Sequence, residues 1–171
     1  MEVKFYNPLI LNDFKNGFLG PSIRLTKSWG IDISPSFRKD GKKIAFISSR
    51  AGNPHVYSMN IDGSGIKRIT YQGKYNQTPR YSPKENLIAF SGRDEFFVFD
   101  IFLLDESSLK INRVTQNQGS NEAPWFSPNG KMLVFSSTRT GKRELFIASL
   151  DGGFQRQITH GGEYWTPTWG K

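Results

Sequence analysis

The segment PSFRKDGKKIAFISSRAGNPHVYSMNIDGSGIKRIT, Pro35 to Thr70, returns in outline as Pro79 to Thr115 and again as Pro124 to Thr159. The aligned prolines Pro35, Pro79, Pro124 and Pro167 lie 44, 45 and 43 residues apart, the period of a four-stranded propeller blade. Period alone is compatible with helical repeats, so strand content decides. Each unit holds an apolar run too short for a core helix and rich in β-branched and aromatic residues: Ile44-Ala45-Phe46-Ile47, Leu87-Ile88-Ala89-Phe90 and Leu133-Val134-Phe135. Runs apolar on both faces suit a sheet covered by a neighbour on each side, where a half-wet sheet would alternate. The following strand repeats an apolar-aromatic pair, as Val56-Tyr57, Ile101-Phe102 and Leu145-Phe146. Hairpin turns are expected at Arg38 to Gly41, Ser82 to Glu85 and Ser127 to Gly130. A short outer strand closes each unit, as Arg68-Ile69-Thr70, Arg113-Val114-Thr115 and Gln157-Ile158-Thr159. The expected fold is all-β, with about three complete four-stranded antiparallel β-propeller blades and partial terminal ones.

The ends are incomplete units. Arg24-Leu25-Thr26 matches the outer strand of a preceding blade, and Thr166-Pro167-Thr168-Trp169 matches the start of an innermost strand. The expected division is a half blade over 1–26, blades over 27–70, 71–115 and 116–159, and a closing strand over 160–171. A closed ring needs roughly four to eight blades, so either the chain is a fragment of a longer one or two copies join, each completing the other's ring.

Composition supports this reading. The chain has 171 residues, 36% of them apolar, with 17 Gly, 9 Pro and 14 Phe, enough for one core and many tight turns. It has no Cys, which excludes disulfides and thiolate metal sites and leaves the redox compartment open. The net charge is +8, yet the basic residues recur once or so per repeat, as at Lys42-Lys43, Lys67-Arg68, Arg113 and Lys142-Arg143. A nucleic-acid surface needs a contiguous basic patch, so no nucleic-acid partner is expected. No stretch approaches the roughly 20 apolar residues of a membrane helix, and the start lacks an apolar signal-peptide region. No direct membrane insertion is expected, and no export signal within the chain.

Catalytic and metal chemistry lack carriers. There is no Gly-x-Ser-x-Gly elbow and only two His, His55 and His160, both read as exposed or packing residues rather than bases. The loop Asn60-Ile61-Asp62-Gly63-Ser64-Gly65 evokes calcium ligation, but Tyr71 stands where the bidentate Glu belongs. With Asp151-Gly152-Gly153 at the same place two units later, it is read as a β-turn. No Gly-rich loop precedes a helix to cradle phosphate. No catalytic residue, metal or cofactor is expected, and the chain is read as not an enzyme.

Strand alternation puts the blade-joining loops and the loops between second and third strands on one face. That face gathers Trp29, Ile31, Asp32, Tyr75, Asn76, Gln77, Asn121, Glu122, Tyr164 and Trp165, with Arg50, Arg93 and Arg139. Tyr, Trp and Arg are enriched at protein interfaces. The candidate partner-binding set is Trp29, Ile31, Asp32, Tyr75, Asn76, Gln77, Arg93, Asn121, Glu122, Tyr164 and Trp165. The repeated Arg50, Arg93 and Arg139 are open to two readings, a structural tie or binding, and recurrence favours the tie. Arg93 to Asp100 spans seven positions against five for Arg50 to His55 and Arg139 to Glu144. The longer loop carries Phe96-Phe97-Val98-Phe99, a candidate secondary contact patch.

The residues are also specific enough to suggest a family. Arg24 to Ser36, Ser48 to Pro54, Met59 to Ser64, Ser91 to Glu95 and Ser136 to Gly141 resemble the propeller repeats of the TolB family of the Tol-Pal system, continuously over residues 24 to 170. The resemblance implies a periplasmic, non-enzymatic, WD-like propeller whose loop face binds the peptidoglycan-associated lipoprotein Pal, supporting cell division and outer-membrane integrity. The family's N-terminal α/β domain and about half its propeller have no counterpart here, so contact with TolA cannot be assigned. Single repeats also resemble the substrate-gating propellers of prolyl-oligopeptidase-like serine peptidases, the alternative reading. A sugar-binding channel is the least favoured, since Asp32 and Glu122 form no convergent acid pair.

Overall fold

The computed structural model describes residues 8–15, 18–93 and 97–170. Fourteen strands run through them. β1 (Ile10–Lys15) and β2 (Phe18–Arg24) form an antiparallel pair. Three four-stranded antiparallel sheets follow in meander order. The first holds β3 (Asp32–Phe37), β4 (Lys43–Ser48), β5 (His55–Asn60) and β6 (Lys67–Arg68). The second holds β7 (Tyr75–Tyr81), β8 (Leu87–Arg93), β9 (Phe99–Asp105) and β10 (Ile111–Arg113). The third holds β11 (Asn121–Phe126), β12 (Met132–Ser137), β13 (Glu144–Ser149) and β14 (Gln155–Gln157). These are propeller blades, and the all-β expectation holds.

The apolar runs take the predicted central place because successive residues of one strand serve two cores. Ile44 and Phe46 of β4 pack with Leu9, Tyr57 and Met59, while Ala45 and Ile47 pack with Ile88, Phe90 and Leu104 of the second sheet. In the second sheet Ala89, Ile101 and Leu103 join Leu133, Phe135 and Phe146 of the third. Each sheet between two neighbours is thus dry on both faces, which is why its sequence does not alternate.

The aligned prolines mark β-bulges. The β3–β4, β7–β8 and β11–β12 registers shift between Ile33 and Ser36, Gln77 and Arg80, and Glu122 and Trp125. Before each proline the backbone turns left-handed, with φ of 56° at Ser34, 49° at Thr78 and 55° at Ala123. A bulge leaves one residue without a ladder partner, so the missing proline N–H costs nothing there.

A second recurring device lies in the outer strands. Thr26, Thr70, Thr115 and Thr159 each accept a hydrogen bond at Oγ1 from a neighbouring strand's N–H, that of Leu9, Val56, Ile101 and Leu145, at 2.9, 2.9, 2.9 and 2.8 Å. Two residues earlier, Arg24, Arg68, Arg113 and Gln157 donate to the carbonyl of that same threonine. The sequence signature is the Arg/Gln-x-Thr that closes each unit.

Residues 158–170 carry no strand, but they lie against the third sheet as the opening of a following blade would. The Tyr164 N–H donates to the Arg143 carbonyl at 2.9 Å, the counterpart of the Asn76 N–H to the Pro54 carbonyl at 2.9 Å. Pro167 and Thr168 face Ala123, Pro124 and Trp125 across a small cavity.

Candidate partner-binding face

The starts of β7 and β11 and the ends of β8 and β12 converge on one end of the blades, where inter-blade polar bonds concentrate. At the junction of the first and second sheets, the Asn76 amide Nδ2 donates to Thr70 Oγ1 at 2.8 Å and lies 3.1 Å from His55 Nδ1. Since that amide is a donor, the facing His55 nitrogen is the acceptor and the ring is neutral. Burial, with the Arg68 cation adding to it, lowers the His55 pKa below its ordinary value. At the next junction Asp100 takes the histidine's place. It accepts from Thr115 Oγ1 at 2.6 Å and Asn121 Nδ2 at 3.1 Å, and pairs with Arg113. At the third, Glu144 accepts from Thr159 Oγ1 at 2.6 Å and the Gly162 N–H at 3.0 Å; the Thr159 bond leads in lowering its pKa, against the upward pull of desolvation.

Asp32, Asn76 and Asn121, three of the residues expected on a binding face, are 2%, 1% and 0% exposed. Asp32 accepts from Ser28 Oγ at 2.7 Å and Arg50 Nη2 at 3.1 Å. Burial pulls its pKa upward, but hydrogen bonds from Ser48, Ser28, Thr26 and Arg50 together overcome this and hold it low. Ile31 is half-buried and bonded through its backbone to Ser49.

The repeated arginines divide. Arg50 donates to Ser48 Oγ at 2.8 Å and to Asp32, with its guanidinium 5.5 and 5.1 Å from the Phe46 and Tyr57 ring centres. Arg139 donates to Ser137 Oγ at 2.9 Å, Asn121 Oδ1 at 2.9 Å and Gln155 Oε1 at 2.8 Å, 5.6 and 4.3 Å from the Phe135 and Phe146 rings. Arg93 differs. The registers Ser48 to His55, Gly92 to Asp100 and Ser137 to Glu144 correspond, so Arg93 stands one residue after the shared position while Arg50 and Arg139 stand two after. It therefore turns to the other side of the sheet and lies over Tyr75 and Phe99, at 5.4 and 5.6 Å. Counting residues between motifs concealed this offset.

The accessible part of the face is a chain of contacts from the second sheet to the C-terminal segment. Gln77 Nε2 donates to Glu122 at 2.9 Å, Glu122 pairs with Arg143 at 3.0 Å, and the Arg143 guanidinium lies 4.2 Å from the Trp165 ring centre. Trp165 is 62% and Trp29 79% exposed; Tyr164 is also exposed, and Tyr75 is half-buried edge-on to Phe99. Arg143, the centre of this chain, was missed in sequence because it looked like one more basic turn residue. In the longer loop Phe97 is exposed and Phe99 is packed on Tyr75; Phe96 lies outside the described residues. Among the described residues no three His, Asp or Glu groups gather to hold a metal ion, and no helix is long and apolar enough to cross a membrane.

Residues 18–171 match the family model described as the TolB beta propeller domain. The chain belongs to this TolB propeller family. It is 33% identical over 138 residues to the Tol-Pal system protein TolB of Wolinella succinogenes, covering 77% of this chain and 32% of that one. It is 32% identical over 136 residues to the TolB of Helicobacter pylori strain 26695, covering 75% and 31%. The crystal structure of TolB from Acinetobacter baumannii superposes with a TM-score of 0.77 at 27% identity, over 94% of this chain and 42% of that one. A puromycin hydrolase shares the fold, with a TM-score of 0.68 at 13% identity over 86% of this chain and 23% of that one. The chain spans about a third of the length of the curated relatives it matches. It is a TolB-like propeller segment of the Tol-Pal type.

Proposed function

We propose that this segment is a non-enzymatic, protein-binding scaffold of the periplasmic Tol-Pal system that holds Pal against the face carrying Trp29, Tyr75, Gln77, Glu122, Tyr164 and Trp165, in support of outer-membrane integrity. The observation that carries this reading is the rigid tie from Gln77 through Glu122 and Arg143 to Trp165, which presents a largely exposed aromatic on a fixed base. Rigid aromatics on a preorganised surface bind with little loss of conformational freedom. The buried Asp32, Asn76 and Asn121 shape that face from beneath. A substrate-gating propeller of a serine peptidase is supported by likeness of fold alone, and TolA contact is not assigned to this segment.

The test is calorimetric titration of the chain with the soluble domain of the cognate Pal, with light scattering for the stoichiometry and for self-assembly of the chain. Saturable binding is expected, weakened about 30-fold by Trp165→Ala, the effect of removing a central anchor worth about 2 kcal/mol. A folded chain that does not bind Pal, or binding indifferent to both Trp29→Ala and Trp165→Ala, refutes the reading.

A further inference from the structure

The second sheet contains a cavity that its siblings fill. In the first and third sheets a guanidinium lies over two stacked or tilted aromatic rings and donates to a buried oxygen at the start of the innermost strand: Arg50 to Asp32 Oδ1 at 3.1 Å, Arg139 to Asn121 Oδ1 at 2.9 Å. The second sheet keeps the receiving parts. Phe90 and Phe102 stack with centres 5.6 Å apart and planes 21° apart, much as Phe135 and Phe146 do at 6.2 Å and 23°. Asn76 occupies the position of Asp32 and Asn121, paired across the ladder with Gly92 as they are with Ser48 and Ser137.

Arg93 is offset onto Tyr75 and Phe99, and Arg113, reaching in from the outer strand, lies 5.6 Å from the Phe102 ring centre but spends its guanidinium on Asp100, so neither takes the place that Arg50 and Arg139 hold over both rings of their sheets. What remains is a cavity of about 220 Å³ lined by Phe90, Phe102, Gly92, Gly73, Asn76 and Arg93, among others. Asn76 is 1% exposed and spends its Nδ2 on Thr70 and His55. Its Oδ1 lies on the side of Gly73 and Gly92, and an added Cβ on either would meet it at 3.6 or 3.1 Å. Among the described residues this oxygen has no donor, whereas Asp32 Oδ1 and Asn121 Oδ1 each have an arginine.

We propose that this cavity is a binding site for an arginine side chain of a protein partner, whose guanidinium stacks on Phe102 and Phe90 and donates to Asn76 Oδ1. The incoming group restores the arrangement that Arg50 and Arg139 make internally. A planar cation over an aromatic face and a hydrogen bond to a buried amide oxygen together select guanidinium over ammonium. Of the two cations that line the cavity, Arg113 is compensated by the buried Asp100 carboxylate, and the Arg93 guanidinium is turned away from the Phe90–Phe102 stack onto Tyr75 and Phe99. The site rests on the reading of this face as a partner-binding face only for the identity of the molecule that carries the arginine.

A small probe separates the two. The amide resonances of the isotope-labelled chain are followed while N-acetyl-arginine amide is added, then the lysine and phenylalanine amides and N-acetyl-aspartate. Saturable shifts at Gly73, Asn76 and Gly92 are expected for the arginine probe alone, in the roughly millimolar range of a ligand of this size. Phe102→Leu should weaken them about fivefold through the lost ring face. Arg139→Gly, or Arg50→Gly should that variant not fold, opens the equivalent cavity in a sibling sheet and must respond to the same probe. The proposal is overturned if the sibling cavity responds and the second-sheet residues do not, or if lysine, phenylalanine or aspartate shifts them as strongly. Failure of Pal binding with a positive arginine titration would discard the partner and leave the site.

Discussion

Truncating Arg139 and Arg93 to alanine separates a structural arginine from one that merely covers rings. Arg139 makes three side-chain hydrogen bonds, to Ser137, Asn121 and Gln155, and lies 4.3 Å from the Phe146 ring centre. Hydrogen bonds to a charged group contribute about 1.5 kcal/mol each, a partly buried cation–π contact about 1 kcal/mol, and fixing the side chain costs about 2 kcal/mol. Truncation also leaves the buried Asn121 Oδ1 without its donor. Since part of the guanidinium remains solvated, Arg139→Ala is expected to destabilise by about 2–3 kcal/mol, and Arg93→Ala, which among the described residues loses ring contacts only, by less than about 1 kcal/mol. For a chain of this size about 1 kcal/mol moves the Tm by about 2–4 °C, so thermal unfolding followed by near-ultraviolet circular dichroism should read about 4–12 °C for Arg139→Ala. Equal losses for the two variants, or a larger one for Arg93→Ala, would refute the division of the three arginines and the vacancy in the second sheet that follows from it.

Gly152 and Gly141 share a left-handed backbone, φ 73° and 85°, but a Cβ on Gly152 would lie 2.2 Å from the Val114 carbonyl oxygen and one on Gly141 would meet nothing within 4 Å. Gly152→Ala should therefore cost about 3 kcal/mol or more and Gly141→Ala only about 1 kcal/mol, as measured by denaturant midpoints. His55 is held neutral by burial, so its folded pKa lies below the unfolded value and the unfolded chain binds the proton first. Stability should accordingly be intact above about pH 6.5 and fall as the pH drops from there towards the folded pKa; in His55→Gln that part of the pH dependence should vanish, and an unchanged melting profile between about pH 7.5 and 5.5 in both proteins counts against the neutral ring.

The blades were legible in sequence because the features that define them are local. The prolines at 35, 79 and 124 fall on bulges, the apolar runs on central strands, and the Arg/Gln-x-Thr signature on outer strands, each fixed by its own few residues. The binding face was less legible because burial there depends on the neighbouring sheet. Asp32, Asn76 and Asn121 read as polar residues of joining loops, yet each lies at the start of an innermost strand, where Asn76 and Asn121 are bonded to the third strand of the preceding blade and Asp32 to Thr26 of the preceding unit. Arg93 aligned with Arg50 and Arg139 by motif, but Gly92, in place of Ser48 and Ser137, together with the longer loop, moves it across the sheet. Arg143 carried no signal of its own; only the approach of Glu122 and Trp165 distinguishes it from other basic turn residues.

The two junctions between the blades, and the seam between the third blade and the C-terminal segment, share a backbone plan but not a chemistry. The first joins a neutral imidazole to an amide, the second a carboxylate to an amide and a guanidinium, and the third a carboxylate to a main-chain N–H. Blade order is therefore written at the seams. A chain rebuilt with its second and third repeats exchanged would keep the hydrophobic cores nearly matched, yet Glu144 would then face the Asn76 seam and Asp100 would lose Asn121. Units that look interchangeable in sequence are keyed to their neighbours.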